Sequence, residues 1–210
     1  MNVVLYGATG MIGSRILREL VSRGHRVTAV ARNISKVPTM PGVEAEQGDV
    51  RDPESVAMTA EESDAAISAI SPGLNASQDV LSQDYRSLIA GLKKAGVKRL
   101  IAVGGAGSLE VVPGVQLVDT PDFPAGWKGV ALAHRDVLKV LGESGLDWTS
   151  LSPAALIQPG TRTGKFRIGK DQLLTDSKGE SRISAEDYAV ALVDELENPK
   201  HVGQRFTVAY

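Results

Sequence analysis

Short apolar runs alternate with amphipathic stretches along most of the chain. Residues 3–6 are continuously apolar, as buried parallel strands are, and the apolar positions behind them recur at the helical period. The same succession is repeated down the chain, so the pattern predicts an α/β fold with a mostly parallel sheet and right-handed crossovers. Strands are predicted at residues 3–6, 26–31, 43–47, 64–70, 99–103, 147–151 and 204–208, and helices at about 12–22, 77–95 and 128–143 and from 53 and 185 onward.

Residues 109–127 break this pattern. Proline and glycine punctuate the stretch, which predicts an irregular excursion rather than a regular element. Loops of this length inside compact domains are often functional. We therefore expect residues 105–127, together with residues 152–182 after the sixth strand, to supply most of a substrate site.

Three glycines follow the first strand at a spacing of three, and a helix follows them. In this strand–turn–helix context Gly7 allows a tight turn, Gly10 lets backbone N–H groups approach a pyrophosphate, and Gly13 lets the helix pack closely on the strand. The helix N-terminus adds unpaired N–H donors for the anion. This predicts a single, doubly wound, Rossmann-type dinucleotide-binding domain over residues 1–210, with helices on both sheet faces. The alternative is that the glycines serve only the turn.

Size and composition narrow the choice of function. The chain has 210 residues, 42% hydrophobic and 23% charged, with a formal charge of −2, which argues against a general nucleic-acid or membrane surface. It has no cysteine, which excludes thiolate chemistry and fits a cytoplasmic protein. The first strand begins at residue 2, which leaves no room for a signal peptide, and no apolar run could span a bilayer.

The residues that follow the strands are the candidates for cofactor binding. In such a sheet ligands lie outside the carboxyl ends of the strands, and the end of the second strand lies beside the adenosine ribose. Arg32 stands there with Lys36 soon after and no acidic residue, which favours NADP(H) over NAD(H), although a solvated basic loop is the alternative. The predicted cofactor contacts are Gly7, Thr9, Gly10, Met11, Ile12, Gly13, Arg32, Asn33, Lys36, Ala69, Ile70, Gly104, Gly105, Pro153 and Ala154.

Residues 7–13, Arg32 and residues 48–50 resemble the extended and atypical short-chain dehydrogenases/reductases. The resemblance implies that Asp49 and Val50 border the adenine, whereas from sequence alone Asp49 is as well explained as a turn or cap residue. The usual catalytic set of that superfamily is a serine after the fifth strand and Tyr-x-x-x-Lys. Both are missing, because Gly104-Gly105 follows that strand, Ser108 is displaced, and no tyrosine has a lysine four residues on.

A narrower resemblance covers nearly the whole chain. Residues 103–109, 146–149, 152–154, 162–165 and 183–189 are similar to the bacterial NADH-flavin reductases, and through them to the biliverdin reductase B group and NmrA-like proteins. This implies hydride transfer to a flavin or another planar acceptor, with FMN or FAD as substrate rather than prosthetic group. Such a step needs two stacked rings and no protein base.

His134 is the histidine with a candidate catalytic role. In the biliverdin reductase B group a histidine lies at a similar place near the nicotinamide, which implies that His134 donates a proton or orients the substrate. The alternative is a half-exposed helix histidine. His25 and His201 are expected on the surface, and no His/Asp/Glu cluster has metal-ligand spacing.

Arg162, Lys165, Arg167 and Lys170 form a basic run after the sixth strand. The run could attract an anionic substrate or a flavin phosphate, although a solvated basic hairpin is the more common arrangement.

Two classes of function therefore remain. One is an NAD(P)H-dependent reductase of a small planar redox acceptor. The other is a non-catalytic NADP(H)-binding sensor of the NmrA-like type, and an epimerase or dehydratase is the weakest choice because its base is absent. We expect a monomer or homodimer with no nucleic-acid or membrane partner.

Overall fold

An eight-stranded sheet forms the centre of the molecule, in the order β10-β12-β8-β5-β4-β1-β2-β3. The computed structural model describes residues 1–74 and 76–210. Strands β1 to β12 are Asn2–Tyr6, Arg26–Ala31, Val43–Gln47, Ala65–Ser68, Arg99–Val103, Glu110–Val112, Val115–Gln116, Asp147–Ser152, Leu156–Gln158, Arg167–Gly169, Arg182–Ser184 and Gln204–Ala209. Helices α1 to α5 are Met11–Ser22, Pro53–Thr59, Val80–Lys94, Ala125–Gly142 and Ala185–Glu197.

Neighbouring strands of this sheet run parallel except β10, which is antiparallel to β12 at one edge. The chain builds outward from β1 to β3, then crosses back to place β4 on the other side of β1. That reversal creates the switch point at which open α/β sheets hold ligands.

Helices cover both faces because β1 alternates its side chains between two apolar cores. Val3 and Leu5 belong to the core under α1 and α5, and Val4 and Tyr6 to the core under α2, α3 and α4. This two-sided burial is what makes a parallel strand continuously apolar in sequence. The predicted doubly wound α/β fold is confirmed.

The predicted irregular stretch contains more order than expected. Residues 109–127 form the β6–β7 hairpin and a 3₁₀ turn at Leu117–Asp119, and α4 begins at Ala125 rather than at residue 128. Strands β9, β10 and β11 were also not predicted. Each of these strands has three residues or fewer, too few for a period-2 pattern to emerge.

Ser184-Ala185-Glu186-Asp187 forms a modified capping box at the start of α5. The Ser184 hydroxyl accepts a hydrogen bond from the Asp187 N–H at 3.0 Å, as the motif requires. The Asp187 carboxylate does not reach back to the cap; it accepts the N–H groups of Thr163 and Gly164 at 2.7 and 2.8 Å. Asp187 thereby fastens the segment 159–166 to α5.

Candidate cofactor-binding site

Gly7 and Gly13 are required by the fold itself. Gly7 has φ +85°, a conformation that L side chains rarely adopt, and a Cβ there would lie 2.6 Å from the carbonyl oxygen of Ala69. A Cβ at Gly13 would lie 2.0 Å from the carbonyl oxygen of Gly7. The turn after β1 is therefore folded tightly onto α1 and onto the exit of β4.

Gly10 has no such structural requirement. Its φ of −74° and ψ of 170° suit any residue, and the nearest atom to a Cβ would be 3.5 Å away, an ordinary contact. Gly10 is also exposed. Because glycine has no Cβ, the space beside the first N–H groups of α1 stays open, and we call this opening the cradle. It fits the close backbone approach of a pyrophosphate.

The N-terminus of α1 is open toward that cradle. Its N-cap is Gly10, which offers no side-chain hydrogen bond, and the first turn contains no acidic residue. The first N–H groups of a helix lack intrahelical acceptors and carry a partial positive charge. Backbone donors are therefore available to an anion beside Thr9, Met11 and Ile12, of which the first two are exposed and the third half-buried.

The exit of β2 carries the predicted ribose-binding residues. Arg32 and Lys36 are both exposed, and neither takes part in an ion pair in the part of the chain that the structure describes. Asn33 caps the 3₁₀ turn Ile34–Lys36, where its Oδ1 accepts the Ser35 N–H at 3.0 Å. The basic residues are thus accessible, while the amide oxygen of Asn33 already serves the turn.

Asp49 is held in the turn after β3, as the turn-or-cap interpretation expects. Its N–H donates to the Ser55 hydroxyl at 3.1 Å, and its carboxylate accepts Nε of Arg51 at 3.0 and 3.1 Å. The Arg51 guanidinium holds the pKa of Asp49 below its usual value. Val50 is half-buried against the core under α3. Arg51 was not among the sequence candidates.

The exits of β4, β5 and β8 meet at one end of the sheet. The Ala69 N–H donates to the Tyr6 carbonyl at 2.8 Å, which joins the exit of β4 to β1. The Gly104 N–H donates to the Leu151 carbonyl at 2.8 Å, which joins the exit of β5 to β8. The Tyr188 hydroxyl donates to the same Leu151 carbonyl at 2.5 Å. The predicted contacts Ile70, Pro153 and Ala154 follow these strand ends, with Pro153 and Ala154 buried.

Three buried hydroxyls accompany this end of the sheet. The side-chain oxygens of Ser68 and Ser152, at the ends of β4 and β8, have no hydrogen-bond partner among the described residues, and neither has Tyr85 on α3. Unpaired buried hydroxyls are rare in folded proteins. The Ser68 hydroxyl nevertheless lowers the pKa of Tyr85 against the effect of burial, so these two groups face each other.

His134 lies within α4 against the exit of β5. Only 8% of the residue is exposed, so the alternative interpretation, a half-exposed helix histidine, does not describe it. A Cβ at Gly105 would lie 2.8 Å from the Cβ of His134, which explains the glycine, and Nε2 lies 3.4 Å from the Ser71 hydroxyl. Ser71, in the loop after β4, was not identified from the sequence.

Burial lowers the pKa of His134 to about 4, because the charged imidazolium loses its hydration. The imidazole is therefore uncharged at neutral pH. It can form hydrogen bonds, but it is not in the protonated form that a general acid requires. We expect any activity of this site to show no histidine titration between about pH 5 and pH 8. A pH profile of kcat on purified protein checks this, and an inflection near pH 6.5 that disappears in His134→Asn would contradict it.

His25 was expected on the surface, but the structure buries it. It is 8% exposed, and its Nε2 lies 2.9 Å from Glu197 on α5. His201 is half-buried, with Nδ1 2.8 Å from Glu195 and its ring stacked on Phe206. Carboxylates near the end of α5 draw both histidines inward, away from the glycine turn.

The basic run divides between structural and exposed positions. Arg162 forms two hydrogen bonds of 2.8 Å to Glu19 on α1, and Arg167 donates to the carbonyl of Thr175 at 2.8 Å. Lys165 and Lys170 are exposed. Arg162 therefore joins the segment 159–166 to α1.

Two clefts, of about 260 and 300 Å³, lie elsewhere on the molecule. The first includes Phe166 and His201, and the second includes Trp148 and Arg205. No predicted cofactor residue lines either cleft. Residues 1–74 and 76–210 contain no group of three His, Cys, Asp or Glu placed to hold a metal. No helix in the same ranges has the length and apolar character needed to cross a membrane.

Comparison with known proteins agrees with this geometry. Residues 7–199 match the family described as NAD(P)H-binding. The uncharacterized protein YwnB of Bacillus subtilis is 42% identical over 216 residues, which covers 99% of this chain and 98% of that protein. A structure from Burkholderia pseudomallei, named as a proposed exported protein, is 49% identical with a TM-score of 0.91, and the match covers 100% of both chains.

A further solved structure, a proposed NADH-flavin reductase from Streptococcus pneumoniae, is 34% identical with a TM-score of 0.86. The match covers 100% of this chain and 99% of that one. The resemblance inferred from the motifs is thus confirmed over the whole chain. The match over residues 7–199 shows that this chain belongs to the NAD(P)H-binding family.

Proposed function

We propose that the protein is an NADPH-dependent reductase that passes a hydride to a flavin, a quinone or a similar planar acceptor without a tyrosine–lysine base. The observation that carries the proposal is the cradle at Gly10, which neither the backbone conformation nor the packing requires. A ligand approaching the open N-terminus of α1 explains it. The likeness to the proposed NADH-flavin reductase of Streptococcus pneumoniae supports the acceptor class.

The tyrosines of the chain support a reaction without a protein base. Tyr6, Tyr85 and Tyr188 are fully buried, and burial raises the pKa of Tyr6 and Tyr85 to about 12. Tyr210 is half-buried and donates to Asp187 at 2.7 Å. Together with a neutral His134, this leaves a site that holds its ligands without proton exchange.

Each group of residues has a separate role in the proposed binding of the cofactor. NADPH, when bound, supplies the hydride. The N–H groups at the start of α1 would hold the pyrophosphate, Arg32 and Lys36 would hold the ribose phosphate, and Gly104 and Gly105 would flank the nicotinamide. Asp49 and Val50 border the adenine in this proposal. His134, through Ser71, orients the ring or the acceptor.

The acceptor binds as a substrate over the exposed nicotinamide face. We expect FMN or FAD to bind transiently, as a substrate and not as a prosthetic group. The proposal includes a monomer or homodimer acting in the cytoplasm, with no nucleic-acid or membrane partner. The proposed export of the Burkholderia pseudomallei relative makes cell fractionation the test of location.

Turnover separates the reductase from a sensor. The reductase consumes NADPH in the presence of FMN, riboflavin or a quinone, and the rate falls when NADPH carries deuterium at the transferred position. A protein that binds NADPH but oxidises none of it with any of these acceptors is not this reductase. A large difference in affinity between NADPH and NADP⁺ without turnover would instead support the NmrA-like sensor.

Replacing Arg32 with glutamate is expected to reverse the cofactor preference. The carboxylate repels the 2′-phosphate of NADPH and accepts the 2′-hydroxyl of NADH. We expect NADPH affinity to fall by about 100-fold and NADH affinity to stay equal or improve. Fluorescence titration with both cofactors measures this. An unchanged preference would show that the ribose binds elsewhere, and Lys165→Glu, an exposed lysine outside the turn, is the matched control.

A further inference from the structure

A second arginine, Arg51, belongs to the same group of charges as Arg32, because β2 and β3 end side by side and both arginines act on Asp49. Ala31 pairs with Gln47, the Gly48 N–H donates to the Ala31 carbonyl at 3.2 Å, and the Gln47 side chain donates to the Arg32 carbonyl at 3.4 Å. The residues after each strand, Arg32 and Asp49, therefore emerge next to each other. Arg51 follows two residues after Asp49.

Arg51 is fixed by Asp49 but remains open to solvent. Its backbone N–H donates to Asp49 Oδ1 at 3.1 Å, and its Nε donates to both carboxylate oxygens at 3.0 and 3.1 Å. The Arg51 side chain is nevertheless 61% exposed. The pair thus presents a guanidinium at the surface while its carboxylate is neutralised.

Asp84 on α3 completes this group of charges. Burial raises the pKa of Asp84, the charges of Arg51 and Arg32 lower it, and Asp49 raises it, so the four groups influence one another. Two arginines and two acids thus share the surface at which the adenosine ribose is proposed to bind. Without Arg51, the carboxylates of Asp49 and Asp84 would face a 2′-phosphate with only Arg32 and Lys36 to offset them.

We propose that Arg51 is a specificity-determining residue, which favours NADPH by cancelling the charge of Asp49 and by adding a second guanidinium beside Arg32. The inference rests on the proposed function, since it concerns the same cofactor. Like charges at short range disfavour binding, and a guanidinium is well suited to a phosphate. The 2′-phosphate distinguishes the two cofactors, so Arg51 affects NADPH and leaves NADH nearly unchanged.

The test compares Arg51→Gln with Arg86→Gln. Arg86 is also 61% exposed and also pairs with a carboxylate, Glu143, at 3.9 Å, but it is not one of the four charges. We expect Arg51→Gln to weaken NADPH binding by about tenfold and NADH binding by less than about twofold. Arg86→Gln should leave both affinities unchanged. The loss for NADPH should shrink as salt rises, because the interaction is exposed to solvent.

A double variant, Asp49→Asn with Arg51→Gln, separates the two contributions. Removing the carboxylate as well should restore part of the NADPH affinity. Equal losses for both cofactors, or no loss for either, in Arg51→Gln would overturn the inference. If the parent protein binds neither cofactor, the proposed function fails; if the parent prefers NADPH and Arg51→Gln keeps that preference, only the role of Arg51 fails.

Discussion

Replacing Gly10 with alanine is expected to weaken NADPH binding by about 100-fold while the protein stays folded. A Cβ at this position meets no protein atom closer than 3.5 Å, so the free chain tolerates it. The same methyl group would occupy the cradle at the N-terminus of α1, where the pyrophosphate is proposed to lie. We expect the free energy of unfolding to change by less than about 1 kcal/mol.

Gly13→Ala is the matched control for this experiment. Its Cβ would lie 2.0 Å from the Gly7 carbonyl oxygen, a backbone atom that cannot move aside without opening the turn. We expect a loss of about 3 kcal/mol in the free energy of unfolding. Urea unfolding and NADPH titration together separate the two variants. If Gly10→Ala binds NADPH like the parent, or unfolds as easily as Gly13→Ala, the cradle is not a cofactor site.

Asp187→Asn is expected to destabilise the folded protein strongly, although the two side chains have nearly the same shape. The carboxylate is fully buried and accepts hydrogen bonds from Thr163, Gly164 and Tyr210 at 2.5 to 2.8 Å. An asparagine has a single acceptor oxygen and turns an N–H₂ group toward some of these donors. We expect the free energy of unfolding to fall by about 3 kcal/mol, measured by urea denaturation at neutral pH.

Lowering the pH should also reveal the contribution of Asp187 to stability. Burial raises the pKa of Asp187, but the hydrogen bonds from Thr163, Gly164 and Tyr210 outweigh it and hold the pKa below its usual value of 3.8. A lowered folded-state pKa stabilises the protein above about pH 4, and this stabilisation is lost as pH falls through the folded value. Asp187→Asn should lack that part of the acid dependence.

Asp176→Asn serves as the control for Asp187→Asn. Asp176 also accepts two backbone N–H groups, from Lys178 and Glu180, at 2.8 and 2.9 Å, but it lies in an exposed turn. Its replacement should alter stability far less. Equal effects of the two substitutions would show that Asp187 does not fasten the segment 159–166.

Seven of the eight strands of the main sheet were predicted, and β10, with three residues, was not. Parallel strands buried on both faces are continuously apolar, and β5, which is of this kind, begins and ends at the residues predicted. The mostly exposed β3 also has the predicted bounds, although it lacks that continuous pattern. The short strands β9 and β11 have no such signal, since they pair with each other rather than with a long neighbour. They form only because the folded chain brings residues 156–158 beside residues 182–184.

Burial of polar groups depended on distant partners and could not be predicted. His25 is drawn inward by Glu197, which is 172 residues away in sequence, and Arg162 pairs with Glu19 from 143 residues away. Neither pairing has a local pattern. The basic run therefore suggested an anion site although Arg162 serves the fold.

The candidate site was predictable as a motif but not in its details. The spacing of the glycines predicted that Gly7 and Gly13 serve the fold, and the contacts of both residues agree with this, whereas no close contact requires a glycine at position 10. Arg51 was within reach of sequence reasoning, because Asp-x-Arg after a parallel strand places two opposite charges together. Ser71 was not, since its contact with His134 spans 63 residues.

Titration of the purified protein with NADPH, followed by addition of FMN while the nicotinamide absorbance is recorded, tests both cofactor binding and hydride transfer in one sample. We expect saturable NADPH binding, weaker NADH binding, and a loss of nicotinamide absorbance that begins when FMN is added. Failure to bind either cofactor would contradict the account, because the cradle at Gly10 would then have no ligand.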